Sequence, residues 1–233
     1  MAIAGTTKIT LVIAEAAIET VPEKIARHPS VVNHARNIGV KPAETLLDRS
    51  YHHAAMRGLD ESWKRGRPDL VHFSMLEALS TPLFMKGLLN VYVHTFGNKV
   101  IDIAGQLRIP KSYFRFECLM MKLFAQGKVT SQDTTLLSMR DCSLEQLFKE
   151  IGPAKIVGLS TSGVLTDADQ VVKKNQDVDC VYVVGGFPKG HFSENTARMF
   201  NCTYSIHDMG LESHVVIARI LYECEKAYTG GFR

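Results

Sequence analysis

The chain has 233 residues, of which 45% are hydrophobic and 22% are charged, a composition typical of a globular protein with a substantial apolar core. The 27 basic and 24 acidic residues leave a formal net charge of only +3, which alone indicates no polyanionic partner. The five cysteines form no C-x-x-C pair, so we expect mostly buried, reduced thiols in a cytosolic protein rather than a zinc site. No repeat, low-complexity tract or long linker divides the sequence, which predicts one domain over residues 1–233.

The first elements follow an apolar N-terminal stretch that predicts a core strand near Lys8 to Ala14. This stretch is too short to span a bilayer and no small-residue cleavage site follows it, so we expect neither a membrane anchor nor a signal peptide. A helical pattern from Val21 to Gly39 is interrupted by Pro29, and a second strand is expected over Thr45 to Leu47. The pair Asp48-Arg49 then ends that strand either as a buried ion pair or as part of a site, and structural use is favoured.

The middle of the chain contains a helix start at Gly66-Arg67-Pro68-Asp69, because proline suits the first helical position and Asp69 complements the free amides of the first turn. Two β-rich runs flank Gly97-Asn98, which predicts a tight hairpin. Pro110 is expected to open a helix that reaches about Gly127, and Ser143 is expected to cap a short helix through Phe148.

The last third alternates between strands and helices. The predicted elements are strand Lys155 to Leu159, helix Ala168 to Lys174, strands Val181 to Val184 and Thr203 to Ile206, and helix Ser213 to Tyr228, which Gly230-Gly231 would end. This alternation predicts a largely parallel sheet with helices on both faces, so the fold class is α/β.

The strand that begins at Val181 runs directly into a glycine-rich segment, GGFPKGHFS. Gly185, Gly186 and Gly190 allow the main chain to turn tightly and to approach a ligand closely, although a glycine-rich turn without a ligand is the alternative. The exits Leu159 to Gly163 and Ser205 to Gly210 would lie beside it in a parallel sheet. Together the three exits predict one ligand crevice at the carboxyl edge of the sheet.

The crevice carries no known phosphate motif. Neither G-x-x-x-x-G-K-[ST] nor a G-x-G-x-x-G between a strand and a helix is present, which argues against an NTPase and against a typical nicotinamide enzyme. A nucleoside cofactor without phosphates, such as S-adenosylmethionine, remains. Ser160, Thr161 and Ser162 lie in no G-x-S-x-G elbow, so a catalytic serine is not expected.

Basic residues cluster at two places. Trp63-Lys64-Arg65-Gly66-Arg67 combines three positive charges with the single tryptophan, and the second group consists of Arg108, Lys111 and Arg115. Lys111, Arg115 and Lys122 are expected on one helix face. A solvated surface is the alternative for either group, but two groups next to helix starts favour contact with phosphates and exposed bases. Asp69 would serve the helix dipole or hold the guanidinium of Arg67.

No metal site is expected. His52 and His53 are adjacent in a helical segment, so their side chains point in different directions, and no cysteine or acidic ligand set lies near them in the sequence.

Several long sequence motifs together resemble those of one family. They are LLDRSYHH, GRPDLVHFSMLEAL with TPLFMKGLLNVYVHT, RIPKSYFRFECLMMKL and VYVVGGFPKGHFS. In these motifs the chain is similar to the small-subunit ribosomal RNA pseudouridine-N1-methyltransferases, the essential-for-mitotic-growth or nucleolar essential protein family within the SPOUT methyltransferases. The resemblance extends from about Thr45 to the end of the chain.

The resemblance implies a SPOUT-type α/β fold with a C-terminal trefoil knot, inserted hairpin and helix elements, and a homodimer. It implies that S-adenosylmethionine binds at the strand exits, on Leu159, Gly185, Gly190, Tyr204, Ser205, Ile206, His207, Asp208 and Met209. It places contacts to rRNA on Arg67, Arg108, Lys111 and Arg115, with Asp69 steadying Arg67. The family usually has arginine where this chain has Lys111, which keeps the charge but loses the two-pronged hydrogen bond.

The implied reaction is methylation of N1 of a pseudouridine in a hairpin loop of small-subunit rRNA, in ribosome biogenesis and together with ribosomal assembly proteins. No long charged N-terminal extension is present, so an archaeal type working in the cytoplasm is expected. The catalytic base stays unknown, with Asp48 a candidate on position only and proton loss to water as the competitor. The alternatives are a SPOUT enzyme that methylates a ribose or another base, and a mainly non-catalytic rRNA-binding assembly factor.

Overall fold

The computed structural model describes residues 9–105 and 107–229. Within these residues one sheet contains eight strands: β1 (Ile9–Ala16), β2 (Leu89–Thr95), β3 (Lys99–Ile103), β4 (Lys128–Ser131), β5 (Thr134–Asp141), β6 (Lys155–Leu165), β7 (Cys180–Gly185) and β8 (Cys202–Ser205). The same part of the chain forms the helices α1 (Pro29–Ile38), α2 (Arg49–Met56), α3 (Pro68–Leu79), α4 (Pro82–Met85), α5 (Tyr113–Gln126), α6 (Leu144–Ile151), α7 (Ala168–Lys173), α8 (Glu194–Ala197) and α9 (Ser213–Thr229).

The strand order is β4-β5-β3-β2-β1-β7-β6-β8. The half from β2 to β8 is parallel throughout, because β1 pairs parallel with β2 and β7, and β6 pairs parallel with β7 and β8. The half formed by β2, β3, β5 and β4 is antiparallel. The predicted parallel sheet and inserted hairpin are therefore confirmed, whereas the order of strands does not test the threading of the chain, and the knot stays a prediction.

Strand β1 lies at the centre of the sheet and all eight of its residues are buried. Ile9, Leu11 and Ile13 face a core cluster that includes residues of α3, α5 and α9. Val12 and Ala14 face a second cluster with α6 on the other side. The predicted arrangement, with helices on both faces of an α/β sheet, is confirmed.

Several predicted boundaries are correct. The hairpin turns at Gly97-Asn98, where Asn98 is left-handed at φ +55°. Pro68 is the first residue of α3, and Ser143 caps α6 in a capping box with Gln146. In the last third, the three strands and two helices lie where the alternation predicts them, with shifts of a few residues at their ends and a longer β6. Lys8 and Gly230-Gly231 lie outside the described residues.

Other predictions are wrong. The segment Thr45 to Leu47 is not a strand: only Leu46 forms a bridge, with Thr20, because a 3-10 turn precedes the segment and α2 begins directly after it. Pro29 starts α1 rather than interrupting a helix. Strands β4 and β5 were not predicted from the sequence.

The helix predicted from Pro110 begins three residues later, at Tyr113. The Nε2 of His72 is 2.7 Å from the carbonyl oxygen of Pro110, so this carbonyl is engaged by α3 instead of a first helical turn. Lys111 therefore precedes α5, and the expectation that it shares a helix face with Arg115 and Lys122 is wrong.

The state of the cysteines agrees with the expectation of mostly buried, reduced thiols. All five are free, and Cys142, Cys180 and Cys224 are buried. Among the helices of the described residues, none combines the length and the apolar character that crossing a membrane requires.

Candidate active site and nucleic-acid interface

Residues 159–161 in the middle of β6, the end of β7 and the segment after β8 meet at one edge of the sheet and line a cleft of about 300 Å³, although β6 itself continues to Leu165. A smaller hollow of about 70 Å³ shares part of its wall. Leu159, Ser160 and Thr161 border both spaces. The predicted crevice at the carboxyl edge is thus present, since parallel strands end on the same side.

The structure brings eight of the nine expected cofactor residues to these two spaces. Leu159, Gly185 and Gly190 line the larger cleft, and Leu159, Tyr204, Ser205, Ile206, His207 and Met209 line the smaller hollow. Asp208 lines neither, and its carboxylate lies 2.7 Å from Nδ1 of His207.

The start of α9 also contributes to the cleft, which the sequence did not predict. Leu211, Glu212, Ser213 and Val216 line it, and the hydroxyl of Ser213 donates a hydrogen bond to the carbonyl oxygen of Gly185. The only available signal was the position of Ser213 as the first residue of the helix.

Residues 185–193, here called the glycine loop, form one wall of the cleft. Gly190 has φ +90°, a conformation that side chains disfavour, which confirms the predicted tight turn. Gly186 has a different role: a Cβ there would lie 2.8 Å from Cα of Ala16 and from Cγ2 of Ile13. The close approach at Gly186 is therefore to β1 and not to a ligand.

The residues of the cleft fit a nucleoside cofactor. In the described chain, the main-chain N–H groups of Phe187 and of residues 189–192 donate no hydrogen bond to another main-chain group, so they are free for polar groups of a ligand. Leu159, Val184 and Val216 supply apolar wall. Bare peptide groups beside apolar surface suit an adenosine and a sulfonium, with no cluster of cations to neutralise a phosphate chain.

Arg67 and Asp69 form the expected pair at the start of α3. The Nε and Nη2 atoms of Arg67 each donate to a carboxylate oxygen of Asp69 at 2.8 Å. Hydrogen bonding to Asp69 raises the pKa of Arg67, against a smaller opposite effect of burial. About one third of the Arg67 side chain is exposed (35%), so the guanidinium is oriented but still accessible.

Lys64 and Arg65, by contrast, form ion pairs within the protein. Lys64 Nζ lies 2.8 Å from Oε2 of Glu15, and Arg65 Nη2 lies 2.7 Å from Oε2 of Glu19. All four side chains are largely buried. The expectation that Trp63 to Arg67 presents three positive charges to a partner is therefore wrong for two of them, and only Arg67 remains available beside the exposed Trp63.

The second basic group is exposed. Arg108, Lys111 and Arg115 lie at the surface next to and within the first turn of α5. The hydroxyl of Tyr113 donates to Oδ2 of Asp48 at 2.6 Å, and together with the contact between His72 and Pro110 it fixes the start of α5 against α2 and α3. This places the group close to the start of α3.

Electrostatic influences connect the group to the cleft. Burial, the hydrogen bond to Asp48 and the charge of Asp69 all raise the pKa of Tyr113. The charge of Glu212, which lines the cleft, acts on Arg67. The pair Arg67–Asp69 is thus within electrostatic range of Tyr113 at the start of α5 and of the cleft residue Glu212.

Asp48 has a structural role. It is buried, it caps α2 by accepting from the amide of Ser50 at 2.7 Å, and its other oxygen accepts from Tyr113. It does not form an ion pair with Arg49, which donates instead to the carbonyl oxygen of Ser62. Asp48 lines neither space at the strand exits, so the geometry gives no support to its candidacy as a base.

His52 and His53 diverge as expected for neighbours on a helix, since His52 is buried and His53 is exposed. Nδ1 of His52 accepts from the amide of Asp48 at 3.1 Å, and Nε2 lies 3.0 Å from Nδ1 of His34. Burial, followed by the proximity of His34, lowers the pKa of His52 to about 4. Among the described residues, no three metal-ligating side chains come together.

Comparisons with known proteins agree with this geometry. A family model described as EMG1/NEP1 methyltransferase matches residues 11–225. A Staphylothermus marinus protein described as ribosomal RNA small subunit methyltransferase Nep1 is 36% identical over 221 residues, or 94% of this chain and 96% of the relative. A protein of the same description from Thermococcus kodakarensis is 42% identical over 185 residues, covering 78% and 83%. The crystal structure of Archaeoglobus fulgidus Nep1 bound to S-adenosylhomocysteine is 32% identical with a TM-score of 0.84, and the match covers 96% of this chain and 99% of that one.

Proposed function

Because the chain belongs to the EMG1/NEP1 methyltransferase family, we propose that it transfers a methyl group from S-adenosylmethionine to N1 of a pseudouridine in a hairpin loop of small-subunit rRNA. The observation that carries the proposal is the oriented and accessible guanidinium of Arg67, whose main chain is linked through Ala17 to Gly186 of the glycine loop, next to a cleft of about 300 Å³. A methyl donor and an extruded base would meet where the two adjoin.

The cleft would hold the cofactor through the glycine loop and the exits of β6 and β8. When bound, S-adenosylmethionine supplies an electrophilic methyl group on a sulfonium. Leu159 and Val216 would pack against the adenosine, and the free amides of the glycine loop would meet its polar groups. Of the nine expected residues, we assign the eight that line the two spaces and leave out Asp208.

The basic surface would hold the rRNA. Arg67, Arg108, Lys111 and Arg115 would contact phosphates and unstacked bases, with Asp69 fixing the fork of Arg67. A hairpin loop suits this surface because its bases are already partly unstacked, which lowers the cost of extruding one by a few kcal/mol at most. Catalysis is then chiefly a matter of alignment between N1 and the methyl group.

The N1 proton must leave as the N–C bond forms. Asp48 is buried and both of its oxygens already accept hydrogen bonds, so the arrangement favours loss of the proton to water. No side chain is assigned as the base.

The assembly and its location complete the proposal. We infer a single domain and a homodimer, which is supported by large exposed apolar side chains at the end of β6, after β8 and on α9, namely Val164, Leu165, Met209 and Tyr222. We also infer action in the cytoplasm during assembly of the small subunit, next to ribosomal assembly proteins.

A methylation assay on three matched hairpins tests the reaction. The hairpins differ at one loop position, which carries pseudouridine, uridine or N1-methylpseudouridine. We expect incorporation of labelled methyl only with pseudouridine, because uridine lacks the second ring N–H and the third hairpin is already blocked at N1.

The other outcomes identify the rival functions. Incorporation into the uridine or the blocked hairpin would replace this proposal with methylation of a ribose or another base. Tight binding of all three hairpins without turnover would identify a non-catalytic assembly factor.

A further inference from the structure

Lys64 lies in the basic segment before α3, yet its ammonium group faces the glycine loop. Its Nζ lies 4.8 Å from the centre of the Phe187 ring, over the face of the ring. The side chains of Lys64 and Trp63 also lie 3.7–3.8 Å from the position that a Cβ of Gly190 would take. Lys64 thus contacts the middle of the loop that lines the cleft.

The partner of Lys64 holds the far end of the same loop. Glu15 accepts from Lys64 Nζ through Oε2 and from the amide of Ser193 through Oε1, both at 2.8 Å. Burial acts to raise the pKa of Glu15, but the hydrogen bonds from Lys64 and Ser193 outweigh it and lower the pKa. The carboxylate is therefore charged and satisfied at neutral pH.

The backbone of Glu15 also indicates a constrained position. Glu15 has φ +50°, a left-handed conformation that is unfavourable in free energy for every residue except glycine. It lies near the end of β1. Its amide donates to Nδ1 of His94 at 3.4 Å. Because β1 lies at the centre of the sheet and is buried, a side chain held here ties the loop to the core of the protein.

We propose that Lys64 and Glu15 are a positioning pair that fixes the glycine loop in its cofactor-binding shape, and that Lys64 is not a phosphate contact for RNA. The inference rests on the proposed function only in taking the loop as the binding site of S-adenosylmethionine. Without Lys64, Glu15 keeps a buried charge with no cation, and the loop loses both the cation on Phe187 and a well-oriented acceptor for Ser193.

Loss of the pair would lower the fraction of molecules whose loop is competent to bind. The apparent Kd rises in proportion as that fraction falls, so a drop to about one tenth gives an increase of about tenfold. The effect would appear in the cofactor Kd and in the KM for S-adenosylmethionine. It would not appear in the affinity for the hairpin.

Calorimetric titration with S-adenosylhomocysteine compares Lys64→Met with Arg65→Met. Arg65 is the matched control: it is the next residue, it forms an equally buried ion pair, with Glu19, and it lies over the ring of Phe96 instead of the glycine loop. We expect about a tenfold increase in Kd for Lys64→Met and a change within about twofold for Arg65→Met. Equal increases in Kd for the two variants would mean that a general loss of stability causes the effect, and would overturn the proposal.

Hairpin binding separates positioning from RNA contact. Lys64→Met is expected to bind the hairpin with unchanged affinity and with the salt dependence of the unmodified chain, whereas a lost phosphate contact would reduce the slope by about one. Lys64→Arg keeps a cation between Glu15 and Phe187 and should restore the cofactor Kd to within about threefold. A reduced salt slope for Lys64→Met, or a Lys64→Arg chain as weak as Lys64→Met, would contradict the assignment.

Glu15→Gln provides the test if Lys64→Met does not fold. Glutamine keeps an oxygen for Ser193 but removes the charge that orients Lys64, so the Kd should still rise, and an unchanged Kd would overturn the proposal. If the unmodified chain itself gives no heat with S-adenosylhomocysteine, the proposed function fails. If it binds and Lys64→Met binds equally well, only the positioning role is wrong.

Discussion

The amide of Arg67 donates a hydrogen bond to the carbonyl oxygen of Ala17, 3.1 Å away. The amide of Ala17 in turn donates to the carbonyl oxygen of Gly186 at 2.8 Å. Arg67, which precedes α3, and Gly186, at the start of the glycine loop, are thus both hydrogen-bonded to Ala17, which follows β1. These bonds fix the separation between Arg67, proposed to hold RNA, and the loop proposed to hold the methyl donor, and in-line transfer requires such a fixed separation.

Asp69→Asn should weaken hairpin binding by about two- to fivefold, because Arg67 loses the partner that orients it and a partly exposed pair of this kind contributes about 0.5–1 kcal/mol. The Kd for S-adenosylhomocysteine should stay unchanged. Fluorescence anisotropy with the labelled hairpin measures the effect. Asp169→Asn is the control, since it removes the same charge from an exposed pair with Lys173 on α7. Equal effects of the two changes would mean that only net charge matters.

Arg108→Ala and Arg115→Ala should each weaken hairpin binding by roughly tenfold and lower the slope of log K against log salt by about one. Lys149→Ala serves as control because Lys149 is exposed on α6, which packs on the opposite face of the sheet from α5. A slope that stays constant in the arginine variants would exclude those residues from the phosphate interface.

Gly190→Ala should raise the Kd for S-adenosylhomocysteine by about tenfold, because a Cβ at φ +90° costs about 1–2 kcal/mol and the loop must change shape to avoid it. Gly58→Ala is the matched control, since nothing lies within 4 Å of its Cβ position. Calorimetry gives both values. Normal cofactor binding by Gly190→Ala would show that the turn is not part of the site.

Gly185→Val should abolish cofactor binding before it affects RNA. A Cβ at Gly185 would lie 2.7 Å from the Phe187 ring, so valine displaces the ring from the wall of the cleft. Calorimetry with S-adenosylhomocysteine and hairpin anisotropy on the same preparation compare the two losses. Cofactor titration identical to that of the unmodified chain would mean that the cleft is misplaced.

The free energy of unfolding should fall as the pH is lowered from about 6.5 to about 4, in part because of His52. The folded pKa of about 4 lies below the unfolded value of about 6.5, so the unfolded state binds more protons in this window and stability rises with pH. The contribution of His52 is at most about 3 kcal/mol.

Urea unfolding of the unmodified chain, His52→Gln and His53→Gln at pH 4.5 and 7.5 measures this contribution. His52→Gln should show the weaker pH dependence, and His53→Gln, altered at an exposed neighbour, should match the unmodified chain. The raised pKa of Glu117, which is caused by burial, acts with the opposite sign, so the comparison is between variants and not of one curve alone. Identical slopes for all three would contradict the role of His52.

The sequence predicted the elements whose signals are local. Pro68, Ser143 and Gly97-Asn98 each specify a helix start or a turn through their own backbone preferences, and all three lie where expected. The crevice was also predictable, because the segments that begin at Leu159, Gly185 and Ser205 lie at corresponding positions of three parallel strands, although β6 itself continues to Leu165.

Contacts between distant residues could not be predicted. Whether Lys64 meets solvent or Glu15 depends on how residues 49 positions apart pack. The loss of the Pro110 carbonyl to His72 and the close packing of Gly186 on Ala16 have the same origin. Thr45 to Leu47 has the composition of a strand, but within the described residues no neighbouring strand pairs with it beyond the single bridge from Leu46 to Thr20.

The pairing of Ile9 with Cys180 joins strands that are far apart in the sequence, and this affects how the chain folds during synthesis. Strand β1 is synthesised well before β7, the strand that covers one of its edges. Such long-range pairing folds slowly, and until it forms, a mostly apolar strand has an open edge. The cleft therefore forms only after β8 and the start of α9 have been synthesised, and a chain that lacks these elements would be prone to aggregate rather than partly active.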